Sequence, residues 1–149
     1  ERTVRPEPGT YVLVLENNKR KSVQIGKWRK LEINSGYYLY VGSAFGPGGV
    51  LSRVSRHCRE EKSKRWHIDF LRECTSLKAV WYRHGSERLE HRWAKALESA
   101  AQTALIKGFG CSDCHCASHL FYVVKARDLG VCARALPQGV EQWSCVSGG

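Results

Sequence analysis

The stretch GYYLYVGSAFGPGGVLSRVSRHC, residues 36–58, decides how this chain folds. Its first part, Gly36–Gly42, is rich in tyrosine and predicts a β-strand. Glycines and a proline crowd the next part, Gly42–Gly49, and break regular structure. From there the apolar residues recur at helical spacing, which predicts a helix running to about Lys62: Val50, Leu51, Val54 and Cys58. We therefore expect a strand, a glycine-rich break and a helix in succession.

The segments on either side supply further strands and helices. Gly9–Leu15 is apolar and β-branched, and together with the run Ser22–Ile25 it predicts a β-hairpin. The polar stretch Gly26–Ser35 is interpreted as a basic loop. Downstream, the pattern predicts a short helix, a strand, an amphipathic helix and a last strand: His67–Cys74, Leu77–Tyr82, a helix capped by Ser86 that runs to Ala101, and Leu120–Val124.

These elements indicate one small α+β domain, with a mainly antiparallel sheet flanked by about three helices. The chain has 149 residues, of which 42% are hydrophobic, and this suits a single domain. We assign residues 1–125 to the domain. Residues 126–149 are interpreted as an irregular C-terminal tail, with Trp143 packed back onto it.

Charge and hydropathy argue against a membrane protein and favour a partner that is negatively charged. All apolar runs are far shorter than the ~20 residues of a bilayer-spanning helix, so we expect no membrane span. The charged, proline-broken start Glu1–Pro6 favours an intracellular, cytoplasmic protein. The formal net charge of +10 is concentrated in two clusters with tryptophans beside them, within residues 19–30 and 53–65. Such clusters are typical of nucleic-acid binding, and the alternative is a solvated basic surface.

Several side chains suggest chemistry on phosphodiesters. Tyr11 lies on the first strand, and Tyr40 precedes the glycine-rich break. Arg53 and His57 are four residues apart on one helix face, and Glu90 falls inside an apolar helical stripe. Phosphodiester hydrolysis requires water activation, a cation beside the phosphate and often a metal ion. The alternative assigns the tyrosines to the core, the Arg/His pair to a solvated face, and Glu90 to an ion pair with Arg53.

Three blocks resemble the GIY-YIG nuclease superfamily and occur in its order: Gly9-Thr10-Tyr11, then Tyr40-Val41-Gly42-Ser43-Ala44 with Arg53-Val54-Ser55-Arg56-His57, then Arg88-Leu89-Glu90-His91-Arg92-Trp93. The resemblance implies a metal-dependent endonuclease in which Tyr11 or Tyr40 activates the attacking water. It also implies that Arg53 stabilises the phosphate charge and that His57 assists proton transfer or contacts the phosphate. Glu90 would hold one Mg²⁺ or Mn²⁺ ion.

The chain departs from the family pattern in two places. Ser22–Ser35 lengthens the spacing between the first two blocks with a strand and a basic loop. The asparagine that many members carry after the metal-binding helix is not evident, and Ser112 or Asp113 would replace it. Three segments, Trp66–Leu71, Gly108–Cys114 and the following Ser118–Phe121, are similar to a prokaryotic branch whose members stand alone or are fused to a DNA-repair glycosylase. This similarity implies a link to DNA repair or recombination.

The expected partner is nucleic acid, with DNA favoured over RNA. It would be bound through a set of basic and histidine side chains: Lys27, Lys30, Arg56 and His67. The pattern contains no recognition helix, so we expect selection by the shape of the substrate. The alternative function is a catalytically weak nucleic-acid-binding module that needs a protein partner to cut. A carboxylate on an apolar helix face favours the enzyme, because a pure binding module has no use for it.

The cysteines raise one further alternative. Their number is seven, so a closed disulfide framework cannot use all of them. The spacing Cys111-x₂-Cys114-x-Cys116-x₂-His119 contains the ligand types of a structural zinc site. A single compact cluster is unlike a common zinc finger, so a packed turn without metal is the favoured interpretation.

Overall fold

The computed structural model describes residues 4–59, 64, 66–100, 103–110, 118–137 and 139–143. Within these residues the chain forms eight strands and four helices, which confirms the predicted α+β class. In chain order they are β1 (Gly9–Asn17), β2 (Lys21–Ile25), β3 (Arg29–Ile33), β4 (Gly36–Ala44), α1 (Gly49–Cys58), α2 (His67–Arg72), β5 (Ser76–His84), α3 (Glu90–Ser99), β6 (Ala104–Leu105), β7 (Leu120–Val123), α4 (Arg127–Ala135) and β8 (Glu141–Trp143).

Six strands form an antiparallel sheet in the order β6-β7-β4-β1-β5-β8. β1 lies between β4 and β5, and its side chains alternate between the two faces. Tyr11, Leu13 and Leu15 pack into one core with α1, α2 and the β2–β3 pair. Val12 and Val14 pack into a second core with α3 and α4. Burial on both faces explains why the strand is a continuous apolar run.

The predicted hairpin between the first strand and Ser22–Ile25 is wrong. β2 pairs with β3, which lies inside the stretch interpreted as a loop. The missed signal is the alternation in β3, where Leu31 and Ile33 are buried and the residues beside them are exposed. Asn17 closes the base of this small hairpin, since its side-chain amide donates to the carbonyls of Lys19 and Asn34, each at 2.8 Å.

Two helix ends differ from the predictions. α1 ends at Cys58, and Arg59 is already extended, whereas Lys62 lies outside the described residues. A short helix depends on its packed face, and no apolar side chain follows Cys58 until Trp66. α3 begins at Glu90 rather than near Ser86, directly after the buried side chain of Leu89.

The C-terminal segment is more ordered than predicted. α4 and β8 replace the expected irregular structure over most of residues 126–143, and 144–149 lie outside the described residues. β8 pairs with β5, with Trp143 opposite Val80 and partly buried against the core. This helix was not predicted because Gly130 and Pro137 are typical of irregular structure, although Cys132 and Leu136 have helical spacing. No helix in the described ranges is long and apolar enough to span a bilayer.

Candidate catalytic site

The β1–β4 ladder brings together the tripeptides Gly9-Thr10-Tyr11 and Tyr40-Val41-Gly42. Tyr11 lies opposite Gly42, and Tyr40 lies two residues before Gly42 in β4, on the same face. α1 packs over this face and supplies His57, which is fully buried. The Tyr11 hydroxyl lies 3.0 Å from Nε2 of His57, and the Tyr40 ring centroid lies 6.5 Å from that of His57. Three separate segments of the sequence therefore meet at one place.

Gly42 is required by the close approach of Tyr11. A Cβ atom at this position would lie only 2.5 Å from both Cζ and the hydroxyl oxygen of Tyr11. The glycine of the second tripeptide thus makes room for the phenol of the first.

We expect Gly42→Ala to displace the Tyr11 phenol and to reduce cleavage about 10²-fold, the usual cost of a misplacement near 1 Å. Gly46→Ala is the matched control, because nothing lies within 4 Å of a Cβ there. Cleavage rates of the two variants, with near-native circular dichroism for both, measure the effect. Equal rates for the two alanine variants would show that the Tyr11 position is unimportant.

Arg53 is fixed by several contacts on the same side of the sheet. Its guanidinium donates to the carbonyl of Ser43 at 3.2 Å, and its positive charge lowers the pKa of the Tyr11 hydroxyl against the effect of burial. It also lies 4.7 Å from the centroid of the Trp66 ring. A guanidinium has five N–H donors in a rigid fork, so donors remain for a phosphate placed beside Tyr11.

Glu90 occupies the first position of α3, where a carboxylate is favoured by the helix dipole. One of its oxygens accepts from Nδ1 of His119 at 2.7 Å, and Ser43 lines the same cavity as the carboxylate. Burial alone raises the pKa of Glu90, but the hydrogen bonds from His119 and Ser43 outweigh it and hold the pKa below its ordinary value. The carboxylate is therefore ionised at neutral pH. Among the described contacts, the hydrogen-bond partner of this carboxylate is His119, in the place that the alternative interpretation gave to Arg53.

His119 is the residue of this site that sequence reasoning missed. It was grouped with Cys111, Cys114 and Cys116, which lie outside the described residues, as do Ser112 and Asp113. In the structure His119 directly precedes β7, is 4% exposed, and approaches the Val41 carbonyl of β4 as well as Glu90. The β4–β7 pairing places it there.

The oxygen ligands at Glu90 fit a magnesium or manganese ion. A cavity of about 130 Å³ lies at the carboxylate, lined by Ser43, Arg88, Glu90 and His91. The described residues contain no group of three or more His, Cys, Asp or Glu side chains arranged around a metal. Magnesium is commonly held by one or two carboxylates, with water and substrate phosphates completing the shell. Glu90, with the Ser43 hydroxyl beside it, meets that requirement.

Arg56, predicted to contact nucleic acid, has an internal partner. Its two terminal nitrogens donate to the two oxygens of Asp69 at 2.7 and 2.9 Å. Asp69 is buried and also accepts from the backbone N–H of Trp66 at 2.9 Å. The hydrogen bond with Asp69 raises the pKa of Arg56 above its ordinary value. This bidentate pair joins α1 to α2, and a contact of Arg56 with nucleic acid stays a prediction.

His67, also predicted to contact nucleic acid, joins α2 to the loop before β7. Its Nδ1 accepts from the backbone N–H of Gly110 at 3.1 Å, and its ring stacks on Trp28. Burial lowers the pKa of His67, so the imidazole is neutral at pH 7 and serves as an acceptor. Lys27 and Lys30 are exposed on the β2–β3 hairpin, as a phosphate contact requires.

Acidification is expected to weaken the fold through His67. A folded-state pKa below the ordinary 6.5 gives stability that is present above about pH 6.5 and is lost as the pH falls. His67→Asn keeps an acceptor for Gly110 but cannot titrate. Thermal midpoints measured as the pH is lowered should therefore fall more steeply for the wild type than for this variant. Parallel curves would show that His67 does not contribute.

Comparison with known proteins places the chain in a family. The model of the family described as Domain of unknown function DUF123 matches residues 10–141. This range begins in β1, next to Tyr11, and ends in β8, so it spans the main sheet and the candidate site. No curated protein and no solved structure matches the chain. Because the family match covers most of its length, the chain belongs to the DUF123 family.

Proposed function

We propose that this chain is a metal-dependent endonuclease of the GIY-YIG type that hydrolyses phosphodiester bonds in DNA. The observation that carries the proposal is the convergence of Tyr11, His57 and Arg53 at one point of the sheet. Ser43 lies between this point and Glu90, because its carbonyl accepts from Arg53 and it lines the same cavity as Glu90. The resemblance of the three sequence blocks to GIY-YIG nucleases supports the same assignment.

The contacts favour Tyr11 over Tyr40 as the residue that activates water. Burial raises the pKa of both phenols well above the ordinary value, so both are protonated at neutral pH. Arg53 opposes this shift and Glu90 reinforces it at both phenols, but Arg53 is the strongest influence after burial on the pKa of Tyr11 and a weaker one on the pKa of Tyr40. Tyr11 also has an acceptor within reach, Nε2 of His57 at 3.0 Å.

A proton relay makes a resting phenolate unnecessary. In the tautomer that carries its proton on Nδ1, His57 takes the Tyr11 proton at Nε2 while the Tyr11 oxygen takes a proton from the attacking water. The water oxygen then bonds to phosphorus as the bond to the leaving strand oxygen breaks. Arg53 faces the negative charge that grows on the phosphate. A Mg²⁺ or Mn²⁺ ion held by Glu90 would act as a Lewis acid and stabilise negative charge on a phosphoryl oxygen.

Cleavage assays on labelled DNA and RNA structures with Mg²⁺ or Mn²⁺ test the proposal. Arg53→Ala should lower the single-turnover rate about 10²-fold, because a fixed charge aimed at the transition state is lost. Arg53→Lys should recover little, since the planar fork is absent.

Lys30→Ala separates binding from chemistry in the same assay. It should weaken DNA affinity modestly and lower its salt dependence. Comparable losses of rate at Lys30 and Arg53, measured with saturating DNA, would mean that the site is misplaced. Binding without any cleavage would favour the alternative, a binding module that needs a partner.

A further inference from the structure

A basic hairpin turn lies beside the candidate site without taking part in its proton relay. Lys27 is exposed in this turn between β2 and β3, and Arg29 and Lys30 are exposed at the start of β3. Gly26, with φ at +53°, packs against Phe70, whose ring would lie 3.3 Å from a Cβ at that position. This packing on α2 makes the turn a fixed part of the surface.

Trp28 connects the turn to the candidate site through a row of rings. Its ring stacks on His67, with centroids 4.7 Å apart and planes inclined by 20°. It also contacts the edge of Phe109 at 5.8 Å, and Phe109 lies 6.1 Å from the ring of Tyr40. The row therefore runs from the turn to a tyrosine of the site.

Arg29 lies over the outer end of this row. Its Cζ is 4.2 Å from the centroid of the Trp28 ring, and Nη2 donates to the Lys107 carbonyl at 3.1 Å. The side chain is nevertheless exposed. A planar cation that is already stacked and anchored loses little freedom when it binds a ligand.

We propose that Arg29, held over Trp28, is a stacking site for an unpaired nucleobase of the DNA strand that is cut. The position of that strand, with its scissile phosphate beside Tyr11, rests on the proposed function. Bases stack on aromatic rings and guanidinium planes once they leave the duplex. In a paired duplex the base faces are covered by neighbouring pairs, so Lys27 and Lys30 meet only phosphates. The substrate class is DNA in which an unpaired strand adjoins the cleavage point.

Three DNA ligands test the proposal by equilibrium binding without divalent metal: a paired duplex, the same duplex with a single-stranded flap, and one with an abasic flap. The wild type should bind the normal flap about tenfold more tightly than the other two, the usual size of a base-stacking contribution. Arg29→Lys keeps the charge but loses the plane, and should remove this preference. Lys30→Ala, the matched control, should weaken all three ligands alike.

The proposal is overturned if Arg29→Lys retains the full flap preference, or if the wild type binds normal and abasic flaps equally. Cleavage of the same ligands with Mg²⁺ is read separately. If the protein cuts DNA and Arg29→Lys keeps the preference for the flap, the stacking site is rejected and the nuclease proposal stands. If the protein cuts none of the ligands, and Arg29→Lys abolishes the binding preference for the flap, the nuclease proposal is rejected and the stacking site stands.

Discussion

Replacing Glu90 with glutamine is expected to abolish cleavage while leaving DNA affinity nearly unchanged. Glutamine keeps the size of the side chain and one carbonyl oxygen, but it removes the negative charge that a divalent ion needs. The exposed lysines of the β2–β3 hairpin, which would bind phosphates, are not altered. Single-turnover cleavage with Mg²⁺ or Mn²⁺, and DNA affinity without metal, measure the two effects separately.

Glu98→Gln is the matched control for this experiment, since it removes an exposed carboxylate from the same helix. It should leave cleavage unchanged. Mn²⁺ binding to the DNA-free protein provides a second measurement, which Glu90→Gln should weaken and Glu98→Gln should not. A fully active Glu90→Gln protein would show that Glu90 does not bind the metal ion.

Arg56→Met is expected to lower the free energy of unfolding by about 3 kcal/mol, because it removes a bidentate cation from the buried carboxylate of Asp69. The Asp69 side chain is 0% exposed, and that of Arg56 is 16% exposed. The pair has two short hydrogen bonds in a bidentate arrangement, the geometry in which breaking one partner costs most. Chemical denaturation of the wild type and the variant measures the loss.

Two further variants show whether the buried charge is the cause. Arg92→Met breaks the exposed ion pair with Glu87 and should cost less than about 1 kcal/mol. The double variant Arg56→Met/Asp69→Asn removes both charges but keeps an acceptor for the Trp66 N–H, so it should regain part of the lost stability. If Arg56→Met and Arg92→Met cost the same, the buried pair does not stabilise the fold.

The same two arginines show the limit of prediction from the sequence. Arg53 and Arg56 are three residues apart on one helix, and both were assigned to contacts with phosphate. Helical spacing places each on a face, but it does not reveal that α2 brings the buried carboxylate of Asp69 against one of them. The roles of the two residues diverge because of a tertiary contact that no local pattern contains.

The candidate site shows the same limit, because local sequence patterns reveal some of its residues but not those that arrive by tertiary contact. Tyr11, Tyr40 and Glu90 could be selected from the sequence because each lies in a short block with its own spacing. His119 could not, since it reaches Glu90 only through the pairing of β7 with β4, far apart in the sequence. The strands of the main sheet were mostly found from apolar runs, whereas β3 was missed because lysine, arginine and glutamate mask its two buried residues.

The end of the β1–β4 ladder makes the β2–β3 hairpin a separate structural unit. Asn17 and Gly36 lie directly opposite each other, so β1 and β4 form a complete hairpin of their own. Among the described strands, β2 and β3 pair only with each other and use none of the main sheet's backbone hydrogen bonds. Residues 18–35 are thus inserted between two strands that pair without them, and the β1–β4 register sets Tyr11 opposite Gly42. In the proposed nuclease, DNA contacts at the hairpin and cleavage chemistry at the β1–β4 ladder would therefore belong to separately hydrogen-bonded units of one small domain.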